Sequence, residues 1–281
     1  MQSVTVAKSA GFCFGVQRAV STVEGEIAKN SKAKTPIYTY GPIVHNEAVV
    51  NSFAEQGVRV LELDELDSLK EGTVIIRAHG VAKEIYDKLN KPGITVVDAT
   101  CPFVTRIHDI VSSSKDPVII VGDPTHPEVV GIKGWAGSDS RVISSIEDFI
   151  EMALPKDKKY KIVAQTTFNY EKFGEIVEKI KSFKYDIECF NTVCNATQER
   201  QSEAAKIASA VDMMIVIGSK DSSNTKKLFE ICKAQCKVTE FIQTVDDLKS
   251  TNLSYVEKVG ITAGASTPNN IIEEVQTYVR S

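Results

Sequence analysis

Asp98-Ala-Thr-Cys101-Pro-Phe-Val-Thr-Arg-Ile107 joins an apolar run to a helical pattern through a single cysteine. Upstream, Ile94-Thr-Val-Val reads as a short strand. Downstream, Pro102 stands where a helix begins, a position that tolerates its missing N–H and fixed φ. A thiol at such a junction sits at the positive end of a helix. That field lowers its pKa and favours the thiolate, the form that binds metal or attacks.

The same junction occurs twice more, at Val4-Thr-Val-Ala-Lys-Ser-Ala-Gly-Phe-Cys13-Phe-Gly-Val and at Ile187-Glu-Cys-Phe-Asn-Thr-Val-Cys194-Asn-Ala-Thr. The cysteines are 88 and 93 residues apart, and 87 residues follow the last one. Regular spacing of this kind points to an internal repeat, and other features recur in the same order. Each third has an apolar run ending in glycine, followed four residues later by a polar side chain: Gly41 and His45, Gly122 and His126, Gly218 and Ser222. A second strand and a helix start follow, at Val58 with Asp64, Val142 with Asp148, and Val238 with Asp246 and Asp247. A third strand then ends in a polar turn, at His79, at Thr166-Thr167 and at Ser266.

Strands alternating with helices predict three α/β units with mainly parallel sheets, related by a pseudo-threefold axis. The expected boundaries are 12–98, 99–190 and 191–281, the last unit completed by an N-terminal strand within 1–11. A strand is expected over 3–9, and helices over 14–28 and 268–280. In parallel sheets ligands bind at the carboxyl ends of strands. The notable polar residues cluster there, so the three units are expected to surround a central cleft.

Bulk properties narrow the class. The 281 residues are 42% apolar and 25% charged, with 33 basic against 37 acidic side chains and a net charge of −4. This balance argues against general nucleic-acid binding. No apolar run approaches the roughly 20 residues that span a membrane. A strand beginning at residue 4 leaves no room for a targeting peptide, and six cysteines in so long a chain suit metal or catalytic use in a reducing cytoplasm.

Three thiolates make a poor disulfide framework, because one is left over. Zinc usually draws ligand pairs from short spacings, whereas these lie about 90 residues apart. An iron–sulfur cubane suits three ligands better and leaves one iron without a protein ligand. Zinc and plain structural burial stay open on spacing alone. The polar turns supply His45, His79, His126, Thr166, Thr167, Ser222, Ser223, Asn224 and Ser266, with Glu128 the one nearby carboxylate. Such a donor-rich set suits phosphate, and Glu128 is the natural proton donor. The plainer reading is that these residues cap helices.

Taken together, Gly-Phe-Cys13-Phe-Gly-Val, Gly-Pro-Ile-Val-His45-Asn, Arg-Ala-His79-Gly-Val, Asp-Ala-Thr-Cys101-Pro, His126-Pro-Glu128, Gln-Thr166-Thr, Cys194-Asn-Ala-Thr, Ser222-Ser-Asn224 and Thr-Ala-Gly-Ala-Ser266 resemble the motif set of the LytB/IspH family. Members of that family are 4-hydroxy-3-methylbut-2-enyl diphosphate reductases. The resemblance implies the last step of the non-mevalonate (MEP) isoprenoid pathway, a two-electron, two-proton dehydroxylation to isopentenyl and dimethylallyl diphosphate. It implies a [4Fe-4S] cluster on Cys13, Cys101 and Cys194, and a diphosphate site of His45, His79, Ser222, Ser223, Asn224 and Ser266. It further implies a relay of His126, Thr166 and Glu128, with Glu128 supplying protons. Reduced ferredoxin or flavodoxin is the implied electron donor, as no G-x-G-x-x-G nucleotide motif occurs.

Two positions depart from the family pattern. Asp123-Pro124 stands in the loop before His126 where Gly-His-x-Gly is common, predicting a stiffer and more acidic approach. Asn195 replaces a commoner aromatic. Cys232 and Cys236 share one helical face and read as core, Cys189 as a strand residue, Trp135 as packing, and His108 as a surface or satisfied histidine. Two rival classes are a zinc hydrolase of phosphate esters, which would be colourless, and a cluster-bearing sensor with no use for Glu128.

Overall fold

Alternation of short apolar runs with amphipathic stretches produces strands and helices in turn. A computed structural model describes residues 3–30, 35–251, 253 and 255–281. In chain order these form β1 (Ser3–Val6), α1 (Phe14–Asn30), β2 (Ile37–Tyr40), α2 (Glu47–Glu55), β3 (Val58–Leu61), β4 (Gly72–Ile76), α3 (Lys83–Leu89) and β5 (Ile94–Asp98). There follow α4 (Pro102–Ser112), β6 (Val118–Val121), α5 (Pro127–Trp135), β7 (Arg141–Ile143), α6 (Ile146–Glu151), β8 (Lys159–Ala164), α7 (Tyr170–Ser182) and β9 (Asp186–Cys189). The last third holds α8 (Asn195–Ala208), β10 (Met213–Ile217), α9 (Ser223–Gln235), β11 (Val238–Ile242), β12 (Lys258–Ala263) and α10 (Asn269–Arg280).

The strands build three four-stranded sheets in which every pairing is parallel. Their orders are β3-β2-β4-β5, β7-β6-β8-β9 and β11-β10-β12-β1. The three orders are the same, with β1 filling in the third sheet the edge slot of β5 and β9. The cysteine-bearing turn follows that edge strand each time. Strand β1 ends at Val6, short of residue 9, because the N–H groups of Lys8 and Ser9 turn away from the sheet to the carboxylate of Glu203.

The helix starts after the second strand of each third are short turns held by an acid that reaches back to the preceding backbone. Glu65 accepts from Glu62 N–H, Asp148 from Ser144 and Ser145, and Asp247 from Gln243 and Thr244. In the first third the capping acid is thus Glu65, one residue beyond Asp64.

The described residues of Met1–Gln17, His45–Val49 and Cys194–Ser281 form one compact unit, and those of Arg18–Val44 and Val50–Val193 form another. In the first unit the third sheet is covered on both faces, as a parallel sheet requires. Alternate residues of β10 face opposite ways: Met213, Ile215 and Ile217 pack with Ile272 and Val275 of α10, and Met214 and Val216 with Ala204 of α8 and Leu228 of α9. In the second unit, Ile162 and Ala164 of β8 pack with Phe173, Ile176 and Ile180 of α7. Val163 of the same strand packs with Ile107 and Val111 of α4 and Ile132 of α5. Val74 and Ile76 of β4 pack with Ile85 and Leu89 of α3.

Glycine is required where a central strand ends. At Gly218 φ is +152°, and a Cβ would lie 2.6 Å from the Thr225 hydroxyl oxygen; at Gly122 it would lie 2.7 Å from Val129. Helix N-termini can therefore approach these strand ends closely. Among the described residues no helix is long and apolar enough to cross a membrane.

Candidate functional site

The first unit carries Cys13, Cys194, His45, Ser222, Ser223, Asn224 and Ser266. Cys194 is the N-cap of α8 and its carbonyl accepts from Thr197 and Gln198 N–H. Cys13 immediately precedes α1, accepts from Gln17 N–H, and donates its own N–H to Ala265 O at 3.3 Å, beside Ser266. Both side chains are partly exposed. Each sulfur thus stands at the positive end of a helix longer than ten residues.

Ser222 is the N-cap of α9, accepting from Thr225 N–H at 3.3 Å. The capping interpretation therefore holds for Ser222, but it does not extend to Asn224. The Asn224 side chain is buried, and neither its carbonyl oxygen nor its NH2 group has a hydrogen-bond partner. A buried amide left this way costs about 1–3 kcal/mol, a cost that a polar ligand at the first turn of α9 would relieve. His45 Nδ1 lies 3.1 Å from Asp221 O, and a carbonyl only accepts, so the proton is on Nδ1. Ser266 Oγ donates to His45 O at 3.0 Å, which brings both residues to the same N-terminus.

The second unit carries Cys101, His79, His126, Glu128 and Thr166. Cys101 is the N-cap of α4 with Pro102 at its first position, and its carbonyl accepts from Val104 and Thr105 N–H. The turn before it is held by Asp98, whose Oδ1 accepts from Thr100 N–H at 2.8 Å and whose Oδ2 accepts from the Tyr86 hydroxyl at 2.8 Å.

His126 is the N-cap of α5, and its Nδ1 accepts from Glu128 N–H at 3.1 Å. The neutral ring therefore carries its proton on Nε2. His79 meets His126 edge-on, with ring centroids 5.4 Å apart. Glu128 is 1% exposed. Its carboxylate accepts from Thr166 N–H at 2.5 Å and from the Thr166 hydroxyl at 2.7 Å. Burial pushes its pKa up to about 7, against the opposing pull of both Thr166 hydrogen bonds. A carboxyl poised there both holds and releases a proton at neutral pH.

The loop before His126 is closed by the side chain of Asp123. Asp123 Oδ1 accepts from both the N–H and the hydroxyl of Thr125, at 2.9 and 2.7 Å. Asp123 N–H in turn donates to Gln165 Oε1 at 3.1 Å. Asn195 opens α8 and is exposed, and nothing in the structure explains its departure from the commoner aromatic.

Of the remaining cysteines, Cys232 and Cys236 lie in the core against Met214 and Leu228. Burial pushes the Cys232 thiol up to about 12, leaving it protonated and unsuited to metal. Cys189 ends β9, and burial raises its thiol too. His108 departs from the sequence expectation, being neither a surface histidine nor a satisfied one. It is 4% exposed, its Nε2 has no hydrogen-bond partner, and it stacks on Trp135 at 5.2 Å. Burial lowers its pKa to about 4, so it packs as a neutral ring.

Sequence reasoning missed the charged residues that hold the cysteine turns. Arg200 and Glu203, both on α8, bind the backbone of Lys8, Ser9 and Gly11 ahead of Cys13. Arg18, on α1, binds the carbonyls of Asp98 and Thr100 ahead of Cys101. One signal was present, since an arginine follows each cysteine by five or six residues, as Arg18, Arg106 and Arg200.

Comparison with known proteins agrees along the whole chain. The family model described as LytB protein matches residues 4–280. The 4-hydroxy-3-methylbut-2-enyl diphosphate reductase of Thermoanaerobacter sp. (strain X514) is 45% identical over 281 residues, covering 99% of this chain and 96% of that protein. The enzyme of that name from Clostridioides difficile (strain 630) is 41% identical, covering 99% of each. A solved structure of (E)-4-hydroxy-3-methyl-but-2-enyl diphosphate reductase, described as the terminal enzyme of the non-mevalonate pathway, is 41% identical with a TM-score of 0.70, covering 100% and 99%. That of the E-1-hydroxy-2-methyl-but-2-enyl-4-diphosphate reductase from Plasmodium falciparum is 32% identical with a TM-score of 0.89, covering 99% and 87%. With the three like-ordered parallel sheets and the family's motifs in place, this chain belongs to the LytB protein family.

Proposed function

We infer that this chain reduces 4-hydroxy-3-methylbut-2-enyl diphosphate to isopentenyl and dimethylallyl diphosphate, the last step of the non-mevalonate route to isoprenoids. The observation that carries the chemistry is Glu128, a fully buried carboxyl at about 7, fixed by two hydrogen bonds from Thr166. Two electrons and two protons enter. The allylic C–O bond breaks, one proton leaves with the hydroxyl as water, and the other ends on the carbon skeleton. Glu128 holds the donated proton on its carboxyl, Thr166 keeps that carboxyl in one orientation, and His126 presents Nε2–H.

Cys13, Cys101 and Cys194 would hold a [4Fe-4S] cluster. Their placement at three helix N-termini supports this, since it favours the thiolate that iron requires. When bound, such a cluster supplies electrons one at a time and an iron without a protein ligand that acts as a Lewis acid. The unpartnered Asn224 amide and the α9 N-terminus support a diphosphate site with Ser222, Ser223, Ser266, His45 and His79. Reduced ferredoxin or flavodoxin is the donor we propose, and the cytoplasm the location. We also propose the repeat boundaries 12–98, 99–190 and 191–281 with 1–11.

The deciding experiment measures iron, zinc and acid-labile sulfide on protein purified without oxygen, followed by turnover of the diphosphate. Iron and sulfide approaching about four each per chain are expected for a cubane. Zinc without sulfide would overturn the cluster and the reaction together.

A further inference from the structure

Arg200 is an unusual residue for its location. It sits on the second turn of α8, six residues after Cys194, and is 3% exposed. Taking a guanidinium out of water is costly unless its donors are bonded and its charge is met by an anion. Three of its five N–H groups are bonded: Nε donates to Ser9 O at 2.8 Å, and Nη2 donates to Ser9 O and to Gly11 O, the latter at 2.8 Å. Carbonyls do not cancel a full charge, and the carboxylate that acts on it among the described residues, Glu203, is already engaged. It accepts from Lys8 N–H, Ser9 N–H and the Ser9 hydroxyl at 2.9, 2.9 and 2.6 Å.

Beyond Glu203, the groups whose negative charge would act on the Arg200 guanidinium are the thiolates of Cys13 and Cys194. Burial lowers the guanidinium pKa, while Cys13, Cys194 and Glu203 pull it back up. The segment Lys8–Gly11 is thus clamped by two side chains of the helix that Cys194 opens, two residues before Cys13. Within the other unit Arg18, on the helix that follows Cys13, grips Thr100 O at 2.8 Å and Asp98 O at 3.2 Å, just ahead of Cys101. The same device serves two of the three cysteine turns.

We propose that Arg200 is a positioning residue that fixes the Cys13 turn beside Cys194 and serves as the buried counter-charge to their thiolates, raising the reduction potential of the cluster they hold. The assignment rests on the cluster reading above. A fixed positive charge favours the more negative, reduced state, and net charge and hydrogen bonding are among the levers that set such potentials.

The test compares the parent holoenzyme with Arg200→Met, Arg200→Lys and Glu203→Gln. Its readouts are iron and sulfide content, a mediated redox titration, and the rate of iron loss to a chelator. Amide exchange over residues 8–13 is followed in the metal-free protein. Arg200→Met is expected to shift the one-electron equilibrium at least tenfold against reduction, which is 59 mV. Arg200→Lys keeps the charge without the two-carbonyl fork. It is expected to hold the parental potential but lose iron several-fold faster, with faster exchange at residues 8–13. Glu203→Gln should speed exchange without lowering the potential, since it removes a negative charge.

Parental potential in Arg200→Met would overturn the counter-charge role. Parental exchange and iron retention in Arg200→Lys would overturn the positioning role, and Arg200→Lys and Glu203→Gln decide that point even if Arg200→Met does not fold. A parent protein without sulfide would sink the cluster reading itself, an outcome distinct from both.

Discussion

Replacing Glu128 by Gln removes a titration while preserving shape. Burial raises the Glu128 carboxyl from 4.5 to about 7. Below pH 4.5 it is protonated in both the folded and the unfolded chain. Between 4.5 and 7 the unfolded chain releases its proton while the folded chain keeps it. The native state therefore loses stability as pH rises across that window, and above 7 the loss is complete. At about 1.4 kcal/mol per pH unit the loss is about 3 kcal/mol. Gln in the same place can turn its carbonyl to Thr166 N–H and its NH2 to the Thr166 hydroxyl, which then accepts. Denaturant unfolding of metal-free protein, anaerobically at pH 5 and pH 8, should show the parent losing about 2.5 kcal/mol more than Glu128→Gln between those limits, the first part of the loss already lying below pH 5. The variant should be the more stable of the two at pH 8. With metal restored, it should carry a full complement of iron and sulfide and almost no turnover. Parallel pH dependences in parent and variant would refute a carboxyl titrating near 7. Unchanged turnover would refute Glu128 as the proton donor.

Asn224→Leu removes a buried, unbonded amide. It should raise unfolding stability by about 1–2 kcal/mol while raising KM for the diphosphate at least tenfold, as steady-state kinetics would show. Cys232→Ser places a hydroxyl in the core against Met214 and Leu228, costing about 1–3 kcal/mol; iron content by mass spectrometry should stay parental. Cys13→Ser should lose both iron and sulfide, and a variant retaining the full cluster would show that Cys13 is not a ligand.

The fold was legible because its punctuation is chemical. Gly41, Gly122 and Gly218 end central strands, and cysteines end edge strands, so the order of features along the chain carried the topology. Each catalytic candidate likewise stood beside a residue with a local meaning, such as His126-Pro127 at a helix start. What could not be seen was the use of charged helical residues. Arg200, Glu203 and Arg18 fall in stretches that read as solvated faces, since a lone sequence does not say which charged side chain reaches a distant backbone. His108 was misjudged for a related reason: its burial depends on Gly80 and Trp135 arriving from other elements, and a Cβ at Gly80 would lie 2.7 Å from the His108 ring. The length of β1 was overestimated because alternation predicts where a strand can run, not where a side chain such as Glu203 takes its N–H groups.

The parallel pairing of β1 with β12, from Ser3 with Lys258 to Val6 with Ile261, has a consequence for biogenesis. Strand β1 leaves the ribosome long before β12, the partner it waits for. At about 5–20 residues per second, the roughly 250 residues between these strands take roughly 10–50 s to make. The backbone of Cys13 meets Ala265 only after that. Until then the Cys13 thiol lacks that backbone contact and stays open to oxidation and stray metal, while the Cys101 turn is bonded to Ala78, Val104 and Thr105, all within about 25 residues of it. The turn that carries Cys13 is therefore completed late, when β12 closes the third sheet.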